Sequence, residues 1–388
     1  MPSVIEGLVT DQNILSNERV VDMSEIIGDL DPDETQFWTA LEKIGTKPAY
    51  SSLVEWLEDE YYPRVVSISG SISAAATTAC LRVASGSWVK VNDIGRVANS
   101  GEAIHFTAVT GSSVWTIVRS IGTVAGITAP DGTEIVLIGN AAAQGATLGD
   151  REVVLRTRAY NYTQIFRHAY GFTETLAASK LYTGGEPARE RRKKAVEHKR
   201  DIEQAFFNGP REFNTTDIRG FMGGLREYIS TNITTGTNLT ETSFDDFLRT
   251  ALHRGSKNKV SFCAPRVAGV LSGMLRDGWV RAQPSQKAFG AKVDSWVSGV
   301  YGWDIPIMVK RDWNEFAAVS QSIGGVNALG SELFVVDMDA VRMRPLRTTR
   351  LLVNRQAPSA DETTEEYLTE ISMEVSHERK HALLQGVT

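Results

Sequence analysis

The sequence predicts an α+β fold interrupted by an inserted all-β domain. Three observations carry this expectation. Between residues 65 and 140 only eight residues are charged, and short β-branched runs recur between turn signals. Residues 186–208 form one long, highly charged helical pattern opened by Gly184-Gly185-Glu186-Pro187, with proline in the first turn where a missing N–H costs nothing. From Ser243 onward helical stripes alternate with buried-strand runs, and the chain from Val341 is mainly strand-like.

In chain order, residues 1–30 scatter short apolar pieces (Val20-Val21, Ile26-Ile27) among acids and amides. Asp31-Pro-Asp-Glu supplies helix-start signals, and Phe37, Trp38, Leu41 and Ile44 follow at helical spacing until Lys47-Pro48. Residues 50–63 carry Leu53, Trp56 and Leu57 between acids, a pattern compatible with strand or helix. Within 65–148 the runs VVSISGSIS, ACLRVAS, EAIHFTAVT, VWTIVRSI and EIVLIG predict five strands of a small barrel or sandwich. The pair 102–110 and 114–121 reads as a hairpin. Residues 151–175 read as one long strand leaving the insertion.

The charged helix carries Ala195, Ile202, Ala205 and Phe206 along one narrow stripe and is stopped by Gly209-Pro210. Residues 211–240 are turn-rich, with a flexible loop expected from Ser230 to Asn238. Beyond them Phe244, Phe247, Leu248, Ala251 and Leu252 form a helix stripe, and Val260-Ser-Phe-Cys reads as a buried strand. A helix is expected over 267–275 and strands within 293–308 and 333–337. Near the end Tyr367, Thr369, Ile371, Met373 and Val375 alternate with Leu368, Glu370, Ser372, Glu374 and Ser376.

Composition narrows the function classes. With 388 residues, 42% hydrophobic and a net charge of −6, the chain is unlike disordered or collagen-like sequences. It lacks the overall basicity of a protein that coats nucleic acid. Its apolar runs fall short of the ~20 residues of a membrane span, so no membrane partner is expected. No leader is recognised, and a reducing intracellular setting is expected. Cys80 and Cys263 fit no metal or redox spacing and read as buried free thiols. Charge is uneven: the first 60 residues hold 14 acidic and three basic side chains, leaving −11 there and +5 in the rest. Such an acidic segment reads as an extended arm rather than a domain.

Motifs for catalysis are weak. His377-Glu-Arg-Lys-His381 matches H-E-x-x-H, but zinc chemistry needs both imidazoles on one helix face. Following a period-two segment, a strand would hold them roughly 13 Å apart, and none of the seven residues after His381 is a metal ligand. A chance match is the better reading. Gly184-Gly185 before a helix suits an anion in principle, though a plain turn explains it. Asp245-Asp246 and Glu365-Glu366 lie in what read as solvated charge runs. No catalytic, cofactor or metal residue is nominated, and the chain is expected not to be an enzyme.

Charge clustering is more informative. Arg342, Arg344, Arg347, Arg350 and Arg355 fall within 14 residues and precede Asp361, Glu362, Glu365 and Glu366. A nucleic-acid patch would interleave aromatics with the arginines, which is not seen. Complementary surfaces between subunits are a second reading, since arginine favours interfacial ion pairs. Locally paired, solvated strand faces are the third. These nine residues are the candidate intersubunit contacts.

Several short stretches occur in a telling order: Asp33-Glu-Thr-Gln-Phe-Trp, residues 50–56, Asn161-Tyr-Thr-Gln-Ile-Phe and Lys194-Ala-Val-Glu-His-Lys-Arg-Asp-Ile-Glu-Gln-Ala. Later ones are Phe262-Cys-Ala-Pro, Tyr301-Gly-Trp-Asp-Ile-Pro, Leu333-Phe-Val-Val-Asp and His381-Ala-Leu-Leu-Gln-Gly. With them, the order of parts resembles the HK-97-like fold of tailed-phage major capsid proteins and, within it, the SU10-like major capsid protein family. The resemblance implies an N-terminal arm at 1–49, an E-loop at 50–64 and 149–175, and an inserted β domain at 65–148. It implies a peripheral domain at 176–240 and 341–388 with spine helix 186–208, and an axial domain at 241–340. The implied function is self-assembly into hexamers and pentamers of an icosahedral shell around double-stranded phage DNA. Implied partners are further copies of the chain, portal, scaffold or decoration proteins, and the packaged DNA by non-specific contact. The implied location is the virion, assembled in the host cytoplasm. A cellular nanocompartment shell and, more remotely, a zinc hydrolase using His377 and His381 are the alternatives. Because residues 1–49 show no core of their own, their deletion is expected to leave a folded chain that assembles poorly.

Overall fold

Phe37, Trp38, Ala40 and Leu41 are buried on one side of the first helix, α1 (Gln36–Ile44), as their spacing predicts. The computed structural model describes residues 35–73, 78–82, 89–109, 114–146, 155–179, 186–236, 238–276, 283–288, 291–297, 301–314 and 330–387. The chain divides into two units, Leu57–Arg158 and the remainder. Strand β1 (Leu53–Glu58) settles the ambiguous stretch after α1 as extended, with Val54 and Trp56 buried and Leu53 and Leu57 exposed.

The Leu57–Arg158 unit holds one six-stranded antiparallel sheet. Its strands are β2 (Val65–Ser67), β3 (Thr78–Arg82), β4 (Asp93–Val97), β5 (Ala103–Val109), β6 (Val114–Ile121) and β7 (Glu134–Asn140), in the order β2-β7-β4-β5-β6-β3. Five strands were expected, and β4 is the extra one. Its sequence, DIGRV, hides the pattern because Gly95 stands where a Cβ would come within 2.5 Å of Ile135 Cγ2. The core is small, built on Val66, Ile104, Phe106, Trp115, Ile117 and Ile135. A buried Arg119 donates from Nε to Glu102 Oε1 at 2.8 Å and also reaches the Ile127 carbonyl at 2.7 Å.

In the larger unit the single strand expected over 151–175 is two. Strand β8 (Thr157–Tyr162) pairs with β1, and β9 (Gln164–Thr173) joins a different sheet. Between them the Thr163 N–H donates to the Ser52 carbonyl at 2.8 Å. After β9 comes the short helix α2 (Glu174–Ala178), whose first turn the Thr173 hydroxyl caps. The long charged helix α3 spans Glu186–Asn208, the predicted range. Gly209 ends it at a close approach, where any Cβ would strike the Met222 and Ala205 carbonyl oxygens. Gly184-Gly185 lies outside the described residues.

Short pieces follow: β10 (Glu212–Asn214), β11 (Arg219–Phe221), α4 (Leu225–Tyr228) and β12 (Ile233–Thr235). The last corrects the expected flexible loop, since it lies parallel to the final strand. Helix α5 (Glu241–Leu252) opens with a reciprocal Thr240–Ser243 capping box. Then come β13 (Lys259–Cys263), α6 (Pro265–Arg276), β14 (Gln283–Ala288), β15 (Ala291–Val297), β16 (Asp304–Val309) and β17 (Leu333–Asp337). The chain closes with β18 (Val341–Leu352), β19 (Glu362–Val375) and β20 (Ala382–Gln385).

A seven-stranded mixed sheet runs β12-β20-β17-β13-β16-β15-β14, and a three-stranded one runs β18-β19-β9. Every residue of β13 and β17 is buried, which is why both read as mainly apolar runs, interrupted in β13 by Ser261. The charges bounding those runs, Lys259 and Asp337, are direct cross-strand partners. The core of this unit gathers Phe37 of α1, Phe206 and Phe207 of α3, Phe262, Trp313 and Phe334. Phe207 is its hub, with ring centroids 4.8 Å from Phe37 and 4.9 Å from Trp313. Residues 1–49 were expected to have no core of their own; within them α1 packs into the core of this unit.

Candidate assembly surface

The sheet β18-β19-β9 carries most of the predicted contact residues, with α3 packed against it. Antiparallel register sets Arg342 opposite Glu374 and Arg347 opposite Glu370, so arginines of β18 face carboxylates of β19 across one ladder. Arg347 Nε donates to Glu370 at 2.6 Å, Arg344 pairs with Glu374, and Arg355 Nε donates to Glu366 at 3.2 Å. These three arginines bond within their own chain. Arg342, Arg350, Asp361 and Glu362 are exposed and have no ionic partner among the described residues.

Glu365 and Glu366 correct the solvated reading, because both are buried. Arg191 of α3 grips Glu365 with two donors at 2.6 and 2.9 Å, and the Tyr170 hydroxyl also donates to it. The Arg191 hydrogen bonds hold the Glu365 carboxyl below the usual carboxylate range. Burial, together with the Glu365 contact, pushes the Tyr170 phenol up to about 12. Glu366 is likewise held low, chiefly by Arg167, whose Nη2 lies 2.6 Å away. Two neighbouring acids thus tie β19 to α3 and β9.

Between these elements sits a histidine pair. His168 Nδ1 and His198 Nδ1 are 2.8 Å apart, so one donates and the other accepts. His168 Nε2 meets Asp201 at 2.9 Å, and His198 Nε2 meets the Thr369 hydroxyl at 2.7 Å. Burial, then the neighbouring His168, pulls His198 down to about 4, which keeps it neutral.

Two more polar groups position the framework, and neither was nominated from sequence. Asn161, fully buried, uses both ends of its amide. Its Nδ2 donates to the Gly223 and Met373 carbonyls at 3.0 and 2.7 Å, and its Oδ1 accepts from the Tyr162 and Gly223 N–H groups at 2.8 Å. Glu203 of α3 is buried beside Lys310, with which it pairs, and its carboxylate accepts the Phe37 and Trp38 N–H groups. Burial raises the Glu203 carboxyl, while the Lys310 ammonium opposes the rise. The one sequence signal was Lys310 itself, a lysine directly after the apolar strand DIPIMV.

Residues 377–381 are used in holding the fold. His377 has a left-handed backbone, and Glu378–Lys380 form a single 3₁₀ turn rather than the strand assumed from the preceding pattern. The Glu378 carboxylate accepts the Ser230 and Thr231 N–H groups at 3.0 and 3.1 Å, and His381 Nδ1 accepts the Asp337 N–H at 3.2 Å. Among the described residues no three His, Cys, Asp or Glu side chains gather as a metal site. Cys263 is a buried thiol pushed up to about 12 by its burial. The side chain of Cys80 lies outside the described residues.

Paired charges brace a helix on a sheet and leave unmatched charges of both signs on the surface. The family model of the SU10 major capsid protein matches residues 7–388. The major capsid protein of Pseudomonas phage PaMx41 is 26% identical over 154 residues, a stretch covering 38% of this chain and only 37% of that protein's length. Among solved structures, the cyanophage A-1(L) capsid asymmetric unit is similar at a TM-score of 0.54 and 8% identity, covering 98% of this chain and all of that one. The holo-SrpI encapsulin complex of Synechococcus elongatus matches 60% of this chain and 76% of its own at 11% identity and a TM-score of 0.43.

Proposed function

The chain belongs to the SU10 major capsid protein family and has the HK-97-like capsid fold, and from that premise we propose that it self-assembles into the hexamers and pentamers of an icosahedral shell enclosing double-stranded phage DNA. The observation that carries this reading is the family match over residues 7–388, which spans both units of the chain. A closed shell needs heterologous contacts that one chain repeats in rings. Surface charges of both signs on one sheet suit such contacts. In this reading Arg342 and Arg350 on one copy meet Asp361 and Glu362 on the next, while Arg344, Arg347, Arg355, Glu365 and Glu366 stiffen the sheet that presents them.

The parts take these roles: arm 1–49, anchored by α1; E-loop 50–64 and 149–175; inserted β domain 65–148; peripheral domain 176–240 and 341–388 around spine helix 186–208; axial domain 241–340. Portal, scaffold or decoration proteins are the expected partners. The chain's role is structural rather than enzymatic, and its place is the virion after assembly in the host cytoplasm. Electron microscopy of the purified protein tests this: capsomers or shells are expected, and a persistent monomer absent from virions overturns it.

A further inference from the structure

Helix α3 sorts its charges by face. At about 100° per residue, Arg189, Arg192, Lys193, Lys199 and Arg200 fall within one sector of about 120°. Glu190, Glu197 and Asp201 group on the adjacent flank, and their charges are used there. Glu190 meets Arg189 at 3.2 Å, Glu197 meets Lys194 at 2.5 Å, and Asp201 meets His168 at 2.9 Å. Arg192, Lys193 and Lys199 are exposed and have no ionic partner among the described residues. Arg192 and Lys199 stand two turns apart on one line, about 10 Å along the axis. Like charges three and four positions apart, as Arg189 is from Arg192 and Lys193, oppose the helix unless an anion covers them.

One acid shares the cationic sector. Glu203, one turn past Lys199, is buried, and its carboxylate accepts the Phe37 and Trp38 N–H groups of α1. The first turn of α1 is therefore seated at the end of the cationic row. The chain that precedes α1 starts from that point. From Glu203 back to Arg192 the axis runs about 16 Å, a length that about five extended residues cover.

Residues 25–34 contain Glu25, Asp29, Asp31, Asp33 and Glu34 and no lysine or arginine. Asp29, Asp31 and Asp33 recur at every second position, so an extended chain turns all three to one side, about 6–7 Å apart. Asp31 stands before Pro32, which disfavours helix at that residue and favours the extended form. Exposed ion pairs are weak singly. Several carboxylates on one short tether, attached at the end of the row, act at a high effective concentration that a free anion lacks.

We propose that the cationic row of α3 is the docking surface for residues 25–34 of the same chain, which run from the start of α1 back toward Arg192. The contact lies within one copy, so it does not rest on the shell reading.

The test is zero-length carbodiimide cross-linking of the full chain, with natural-abundance and heavy-nitrogen protein mixed in equal parts before assembly. Peptides joining Lys193 or Lys199 to Asp29, Asp31, Asp33 or Glu34 are expected, each all-light or all-heavy. Lys194 joined to Glu197, 2.5 Å apart, is the internal control. Mixed-isotope peptides place the acidic segment on a second copy and overturn the same-chain assignment. Recovery of the control link alone overturns the contact. Fluorescence anisotropy of a labelled DNA duplex at low salt asks whether the row is covered. Arg192→Gln with Lys199→Gln should weaken duplex binding less than about twofold in the wild type, and about fivefold in a chain carrying Asp29→Asn, Asp31→Asn and Asp33→Asn. Equal losses in the two backgrounds would mean a row open to phosphates, and would overturn the proposal.

Discussion

Glu203 caps the helix that begins at Gln36: its carboxylate accepts the Phe37 N–H at 3.2 Å across 166 residues of sequence. The local N-cap residue, Thr35, makes no side-chain cap bond, so α3 supplies from a distance what helices usually find beside them. The same carboxylate neutralises the fully buried Lys310. Replacing Glu203 with Ala removes the cap and leaves the buried Lys310 ammonium to the more distant Asp312 carboxylate at 3.7 Å. The expected loss is about 3–5 kcal/mol, read as a lower urea midpoint. A loss within about 0.5 kcal/mol would mean the pair is broken in solution.

The burial of α1 argues against the expectation that deleting residues 1–49 leaves a folded chain. Phe37 is wholly buried among Phe206, Phe207 and Phe262. Phe37→Ala should cost about 3–5 kcal/mol. Deleting residues 1–49 should abolish the cooperative unfolding transition of the larger unit. A truncated chain with wild-type thermal stability would show that α1 adds nothing to the core.

Asn161 satisfies four backbone groups from three segments, and Ala would satisfy none. Each buried group left unpaired costs about 1–3 kcal/mol. Asn161→Ala is therefore expected to lower stability by at least about 3 kcal/mol, whereas the isosteric Asn161→Asp keeps only the two N–H contacts and should fall between. Denaturant melts of the three proteins give the order directly.

Acid should weaken the fold before the carboxylates titrate. His198 is held down at about 4, and His381 at about 3 by burial and the Lys259 charge, while both return toward 6.5 on unfolding. Stability from these neutral rings is complete above pH 6.5. As pH falls below 6.5 the unfolded chain binds protons that the folded chain refuses, so stability declines toward the folded values. The loss by pH 5 is at most about 2 kcal/mol per histidine. Glu365 and Glu366 add to the decline only at lower pH, because their folded carboxyls are depressed. Midpoints measured from pH 7.5 to 5 should fall less steeply in His198→Gln than in wild type. Parallel curves would remove His198 from the account.

Arg342 and Arg350 differ from Arg344 in a testable way. Arg342→Glu with Arg350→Glu should leave the unfolding midpoint within about 0.5 kcal/mol, as exposed substitutions do, yet suppress assembly in light scattering and micrographs. Adding Asp361→Lys with Glu362→Lys should restore it. Arg344→Ala should instead destabilise the monomer, since Arg344 is largely buried and pairs with Glu374. Unimpaired assembly of the first variant would refute the contact proposal.

Sequence pattern reached the elements whose signal is local. The stripes of α1 and α5, the capped span of α3 and the apolar runs of β13 and β17 were all legible from spacing. Strand β4 was not, because the packing that demands Gly95 erases the side chain that would have marked it. Lys310 and Glu203 were invisible for another reason. A charged residue reads as solvated until its partner is known, and these partners lie 107 positions apart. Glu365 misled in the same way, its arginine being 174 residues upstream. The Arg344–Glu374, Arg347–Glu370 and Arg355–Glu366 pairings, confined to one hairpin, were within reach of sequence.

The hydrophobic cluster around Phe106 and the one around Phe207 have no residue in common. Strands β1 and β8, which carry the chain into and out of residues 57–158, are hydrogen-bonded neighbours. An intervening sequence attached at two adjacent points, with its own interior, behaves as a cassette. An engineer could replace it with a short turn or a foreign module for display, choosing the splice near Leu57 and Arg158.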